Sequence, residues 1–395
     1  MIHHENVPST DSLQSKSLVY LLQKYKMTVE SVYKSEMAEI IELIESIADP
    51  LNTANLFLSL ISIFINILHL IILTRSSMKA SSTNTIMIGI AVVDIVILSL
   101  TVIKHASLVD IENNECVTSN YLSKVYFDMA VWGLQDYFRR CSTWLGLMMA
   151  TVRTMIVKNM LGTQNPALTK QRFGWSVILA VIILASTLSI FYNFRFSVVE
   201  NRKDSLPISC EEFQDIHKPP RFSMNMINFF TMNEKIVLRV YLMVDAVASK
   251  FIPCILFPIL TVLLIRALSK AKKARSQSKA ATRSDHTTTL VITMTVAFFI
   301  AEAPLGIIYT INAFNHSNDH LIIASVDVII IFACLLTINS TCHFFFCIFL
   351  SKQYRSTMYF TFRLDRLVLS NNMHNGETRN MSSIAAPSIR LISVH

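Results

Sequence analysis

The chain has 395 residues, of which 52% are hydrophobic and 16% charged, where a soluble domain carries about 25% charged residues. Mean hydropathy is positive, +0.46, and 7 glycines are too few for a glycine-rich nucleotide fold or for collagen. What these values leave is a membrane protein with several spans. The net charge of +8 must then be explained by where the basic residues fall.

Residues 1–53 are polar and net negative. No basic start followed by an apolar core occurs in 1–50, so the first apolar segment is expected to act as its own signal anchor. Met37, Ile40, Ile41, Leu43, Ile44 and Ile47 recur at helical spacing among Glu39, Glu42 and Glu45. The spacing predicts a short amphipathic helix ahead of the first span. It either lies on the outer face or helps to receive a ligand.

Seven apolar segments follow. Residues 51–74 contain no Asp, Glu, Lys or Arg, and 84–103 are interrupted only by Asp94. The segment 125–157 carries Asp128, Asp136, Arg139, Arg140 and Arg153, and is the weakest of the seven by hydropathy. Residues 173–194 have no charge until the loop that follows. The remaining three are 237–265 with Asp245 and Lys250, 287–313 with Glu302, and 322–350 with Asp327. The expected fold class is an all-α membrane protein, a seven-helix transmembrane bundle. Its parts are an extracellular segment 1–53, a bundle 54–350 and a cytoplasmic tail 351–395.

With the N-terminus outside, the segments 74–83, 154–172, 266–289 and 351–395 face the cytoplasm and hold 18 basic and 3 acidic residues. The outer segments hold 12 basic and 18 acidic, so the positive-inside rule favours this orientation. The basic balance then needs no nucleic-acid partner. Asn315-His316-Ser317 lies outside and is a glycosylation acceptor pattern. The similar patterns at Asn339 and Asn380 are intramembrane and cytoplasmic.

A charge inside a bilayer costs about 2.5–3.5 kcal/mol on insertion scales and persists when paired, hydrated or functional. Asp94 and Asn66 lie mid-span in the second and first helices. Ser142, Asn339, Ser340 and His343 lie at similar depth in the third and seventh. Together they can form a buried polar cluster around an ion or waters, while each alone can be an ordinary interhelical hydrogen bond.

Seven spans, a mid-helix Asp94, Arg153 at the inner end of the third helix, and the stretches Arg139-Arg140-Cys141-Ser142-Thr143-Trp144, Lys250-Phe251-Ile252-Pro253, Ala301-Glu302-Ala303-Pro304 and Ile338-Asn339-Ser340-Thr341 together resemble a rhodopsin-like G-protein-coupled receptor. The finer texture is similar to the nematode serpentine receptor class W group, related to FMRFamide- and myosuppressin-type neuropeptide receptors. The resemblance covers about residues 50–360. It implies a plasma-membrane receptor that binds an extracellular ligand, foremost a short neuropeptide, and activates a heterotrimeric G protein. An environmental small molecule is the rival ligand within the class.

Carried over by position, the resemblance makes Asp94, with Asn66, Ser142, Asn339 and Ser340, a polar switch that takes a sodium ion. His343 belongs to the same cluster. It makes Arg153 a G-protein contact, and it pairs Cys116 with Cys210 across the first two outer loops. Cys116 starts about ten residues earlier than the family spacing. The usual Asp-Arg-Tyr reads Val152-Arg153-Thr154, and the usual Asn-Pro-x-x-Tyr reads His343-Phe344-Phe345-Phe346-Cys347. Glu302 needs a partner at its depth, and the expectation is an ion pair with Arg139 or Arg140. Asp245, Lys250 and Asp327 are further ligand-site candidates, with a solvated rim as the plainer reading.

After Arg355, Tyr359, Phe360, Phe362, Leu364 and Leu367 alternate with Arg363 and Arg366, which predicts an amphipathic helix along the inner leaflet lipid. Residues 370–395 read as disordered. No HExxH, GxSxG or GxxxxGK[ST] pattern occurs, so no enzyme is expected, and no cofactor beyond the ion. A transporter with a midplane site is the rival from another class. Such proteins show internal repeats and glycine-interrupted helices, and neither is visible here.

Overall fold

The structure is a computed structural model that describes residues 10–113, 121–159, 166–201, 221–275, 283–314 and 319–362. In chain order the helices are α1 (Thr10–Leu73), α2 (Ser82–Asn113), α3 (Leu122–Asn159) and α4 (Gln171–Phe194). The rod called α5 joins an α segment (Asn228–Asp245), a π-helical turn (Ala246–Phe251) and a second α segment (Ile252–Arg275). Then come α6 (Arg283–Phe314), α7 (Asp319–Leu350) and α8 (Lys352–Thr361). A 3₁₀ turn (Pro166–Thr169) precedes α4.

Among the described residues six stretches are long and apolar enough to cross a membrane: Ala38–Leu73, Ser82–Ala106, Gln171–Phe191, Lys235–Lys270, Thr295–Phe314 and Ala324–Phe349. They correspond to all the expected spans except the third. α3 carries the charges that lower its hydropathy, yet it packs against α2, α4 and α5. The apolar helices therefore surround it, and its polar groups face protein, where they can be paired. The outward faces of α1 and α4 carry Phe57, Phe64, Leu179, Ile183 and Phe191, all exposed. That is the reverse of a soluble protein and the pattern of helices solvated by lipid tails.

α1 corrects one expectation. The amphipathic stretch around Ile40–Ile47 is not a separate helix but the outer part of one continuous rod. At 1.5 Å per residue the 36 residues Ala38–Leu73 are about 54 Å long, against a hydrocarbon core of about 30 Å. Roughly four turns therefore project beyond the hydrocarbon core. Ile40, Leu43 and Ile47 are exposed there.

An antiparallel hairpin follows α4 in the loop of mixed charge, β1 (Phe196–Asn201) with β2 (Arg221–Met226), in register from Phe196 opposite Met226 to Asn201 opposite Arg221. Both strands touch α3. The sequence reading contained no strand.

The inner half of the bundle is closed by a core of Ile72, Leu73, Ile86, Met87, Leu145, Val152 and Tyr354. Here α4 comes very close to α2: a Cβ on Gly174 would sit 2.7 Å from the Ser82 carbonyl oxygen. Only glycine permits that approach, which is the usual role of small residues between membrane helices.

Candidate functional site

The site lies between α2, α3, α5, α6 and α7, and its outer floor is a charge network. Arg140 of α3 is buried. Its Nε donates to Asp245 Oδ1 at 3.0 Å, Nη1 to Ser189 Oγ at 2.7 Å and Nη2 to the Tyr241 hydroxyl at 3.3 Å. Nη2 also lies 2.5 Å from Asp136 Oδ2 one helical turn away. Ser249 Oγ donates to Asp245 Oδ1 at 2.7 Å. A single guanidinium thus ties α3 to α4 and α5, using the planar fork that suits arginine to several acceptors at once.

A second ion pair joins α5 to α6. Lys250 Nζ lies 2.6 Å from Glu302 Oε2, and Thr143 Oγ1 donates to Glu302 Oε1 at 3.2 Å. This corrects the expected partner of Glu302, which is neither Arg139 nor Arg140. The cause is the π-helical turn, closed by the Ile252 N–H bonding the Val247 carbonyl. Residues five apart on an α-helix point about 140° away from each other. The extra residue in a π turn swings Lys250 round to the side already taken by Asp245. Both are then buried against the bundle. Nothing in the residue pattern marked that turn except the adjacent Pro253, which lacks a donor for an ordinary α-helical bond.

Below the network is a cavity of about 90 Å³, lined by Arg139, Thr143 and Glu302 together with Asp94, Ser142, Asn339, Ser340 and His343. Ser142 Oγ donates to Asp94 Oδ1 at 2.8 Å. The buried Ser340 hydroxyl lies beside the same carboxylate. The sequence-derived polar cluster is therefore assembled, with one exception. Asn66 does not bond Asp94. Its Nδ2 donates to the Ser62 carbonyl at 3.0 Å, and its Oδ1 has no partner among the described residues. Asn66, His69, Asp94 and His343 instead line a separate void of about 10 Å³, about the least space that holds a water.

His69 was missed in the sequence. Its Nδ1 lies 2.7 Å from the hydroxyl of Tyr354, which is fully buried under α8. Phe344 packs edge-on against both rings. Gln353 Nε2 donates to the Ser77 carbonyl at 2.7 Å, and the Ser77 and Thr357 hydroxyls are 3.1 Å apart. α8 is thus fastened to α1 by polar contacts, while Phe360 on its other side is 78% exposed. A histidine in an apolar run facing a tyrosine 285 residues later leaves no local signal.

On the inner side Arg153 Nη2 lies 3.6 Å from Met87 Sδ. Arg153 lines an open crevice of about 750 Å³ with Val157, Leu264, Leu268, Lys352 and Arg355. Asp327 stands apart from the cavity, near Asp49 of α1, with its Oδ2 buried and unpartnered among the described residues. Cys116, Cys210, Asn315, Arg363, Leu364, Arg366 and Leu367 lie outside the described residues. Cys141, Cys254, Cys334, Cys342 and Cys347 are free thiols.

A family model described as serpentine type 7TM GPCR chemoreceptor Srw matches residues 53–365, which takes in every helix from the membrane part of α1 to α8. A search of curated proteins found no match.

Proposed function

The chain belongs to the serpentine type 7TM GPCR chemoreceptor Srw family, and on that premise we propose that it is a chemosensory receptor of the plasma membrane with an extracellular N-terminus and a small extracellular molecule as its ligand. Family membership makes it a multi-pass receptor, and a ligand and a G protein are its partners. The family's chemosensory description favours the small molecule over the neuropeptide suggested by the finer resemblance to FMRFamide- and myosuppressin-type receptors. A cavity of about 90 Å³ also suits a small ligand better than a peptide.

The observation that carries the mechanism is the Lys250–Glu302 pair, whose carboxylate lines that cavity. It couples α5 to α6 where a ligand would press. Pro304, two residues further along α6, cannot donate to the preceding turn and lets the helix bend there. A ligand that binds better when the pair is rearranged shifts the receptor toward the rearranged state. The bend then changes the shape of the inner crevice that presents Arg153 to the G protein. Asp94, Ser142, Asn339 and Ser340, which line one cavity, fit a sodium ion, which would neutralise the carboxylate and favour one of the two states.

The test is nucleotide exchange on a heterotrimeric G protein in membranes holding the full chain, run against a panel of small environmental compounds and amidated peptides. A small-molecule agonist, with exchange lost in Glu302→Gln at normal surface expression, is the expected result. Radiolabelled uptake into vesicles without exchange would establish the transporter instead.

A further inference from the structure

We propose that the cavity takes an anionic ligand, a small carboxylate, bound by Arg139. The inference deepens the receptor reading and relies on it only for what binding triggers; the ligand's charge is argued from the wall itself.

Three charged side chains line the cavity: Asp94, Arg139 and Glu302. Glu302 is engaged on both oxygens, by Lys250 at 2.6 Å and by Thr143 at 3.2 Å. Asp94 accepts from Ser142 at 2.8 Å. Next door, Arg140 holds Asp136 and Asp245. Arg139 differs from all of these. Its Nε is buried with no acceptor, and it forms no ion pair among the described residues. The nearby carboxylates are held by other donors. Lys104 of α2 adds to the imbalance. Its ammonium sits over the Trp132 ring at 5.6 Å, and its charge and that of Arg139 repel.

Arg139 is half-buried, with its Nε withdrawn from water and given no acceptor among the described residues, and a carboxylate is the partner the planar fork of a guanidinium fits, through two parallel hydrogen bonds. A cationic group placed against Arg139 would meet its charge and that of Lys104 close by. The rest of the wall is apolar where it meets Ile97, Leu98, Met149, Phe257 and Phe298. That surface suits a short alkyl chain or a ring attached to the carboxylate. The site thus discriminates acid from amide or amine by charge, and tolerates different chains by packing.

The experiment uses the purified full chain in lipid–detergent micelles. The probes are straight-chain carboxylates from acetate to decanoate and benzoate, each with its primary amide, plus hexylamine. At least one acid is expected to raise Tm and bind at least tenfold tighter than its amide, with hexylamine inert. Arg139→Gln is expected to lose at least tenfold in affinity for that acid, and Arg139→Lys to keep part of it. Without ligand, Arg139→Gln should melt no lower than the wild type, because it removes an unpaired charge, whereas Arg140→Gln should melt lower.

The proposal is overturned if no acid shifts Tm, if an amide or amine binds as well as its acid, or if Arg139→Gln binds within twofold of wild type. It is also overturned if unliganded Arg139→Gln melts as low as Arg140→Gln. Nucleotide exchange separates the two readings. Acid binding that drives no exchange keeps the site and removes the receptor function. Exchange driven by a neutral or cationic compound, with no acid binding, keeps the receptor and removes the site.

Discussion

Residue by residue, the buried charges divide into those that hold the bundle and those left to meet something else. Lys250 and Glu302 are both almost fully buried, with side chains 9% and 5% exposed. Removing one partner strands the other, which is worth about 3–5 kcal/mol, whereas removing both leaves no uncompensated charge. Lys250→Met and Glu302→Gln should each lower thermal stability by that order, and the double variant should lose clearly less than the two added together. Strict additivity in a thermal-unfolding double-mutant cycle would mean that the pair is not coupled. Tyr354 is a milder case. Tyr354→Phe deletes its bond to His69 Nδ1, worth about 1 kcal/mol. Burial, with Cys347 adding to it, holds the Tyr354 phenol above its ordinary value. The folded state therefore keeps that proton where the unfolded chain begins to lose it, near pH 10. The sign follows: this contribution is constant from pH 7 to about 9 and falls as pH rises past 10. Unfolding midpoints of wild type and Tyr354→Phe should converge only in that alkaline range.

At the scale of elements, what could be read from sequence depended on whether the signal was local. Six spans are runs of apolar residues, and their number and approximate bounds follow directly from hydropathy. α3 was recoverable because its charges still sit on an apolar framework. The polar cluster of Asp94, Ser142, Asn339 and Ser340 was legible by depth alone, since each residue lies mid-span. The partner of Glu302 was not, because a π turn over Ala246–Phe251 changes which residues of α5 face inward, and a strict 3.6-residue period puts Lys250 elsewhere. The hairpin Phe196–Asn201/Arg221–Met226 and the His69–Tyr354 contact depend on pairings across the chain that no window contains. Close packing of α4 on α2 offers a test at this scale. With the Ser82 carbonyl oxygen 2.7 Å from the position of a Cβ, Gly174→Ala must push the two backbones apart, and overpacking of this kind is worth about 1–3 kcal/mol. A lowered melting temperature with preserved helical content is expected. An unchanged one would show that α4 shifts freely on α2.

For the molecule as a whole, the decisive quantity is the parity of its crossings. The six most apolar helices alone would return both termini to the same side of the membrane. α3 makes the number odd, and it crosses because its five charges face protein and not lipid: Arg140 pairs with Asp136 and Asp245, Asp128 has a partner of its own, and Arg139 and Arg153 line the cavity and the inner crevice. Its insertion energy thus comes from the assembled bundle more than from lipid. The excess of basic residues in the segments after α1, α3, α5 and α7 favours the proposed direction, with the N-terminus outside. An epitope tag at the N-terminus should be stained on intact cells, and one at the C-terminus only after permeabilisation. The Arg140→Gln variant weakens the network that lets α3 stay buried, so it should raise the fraction of chains retained before the cell surface without reversing either tag. Staining of both wild-type tags on intact cells, or of neither, would mean an even number of crossings and would take α3 out of the bilayer.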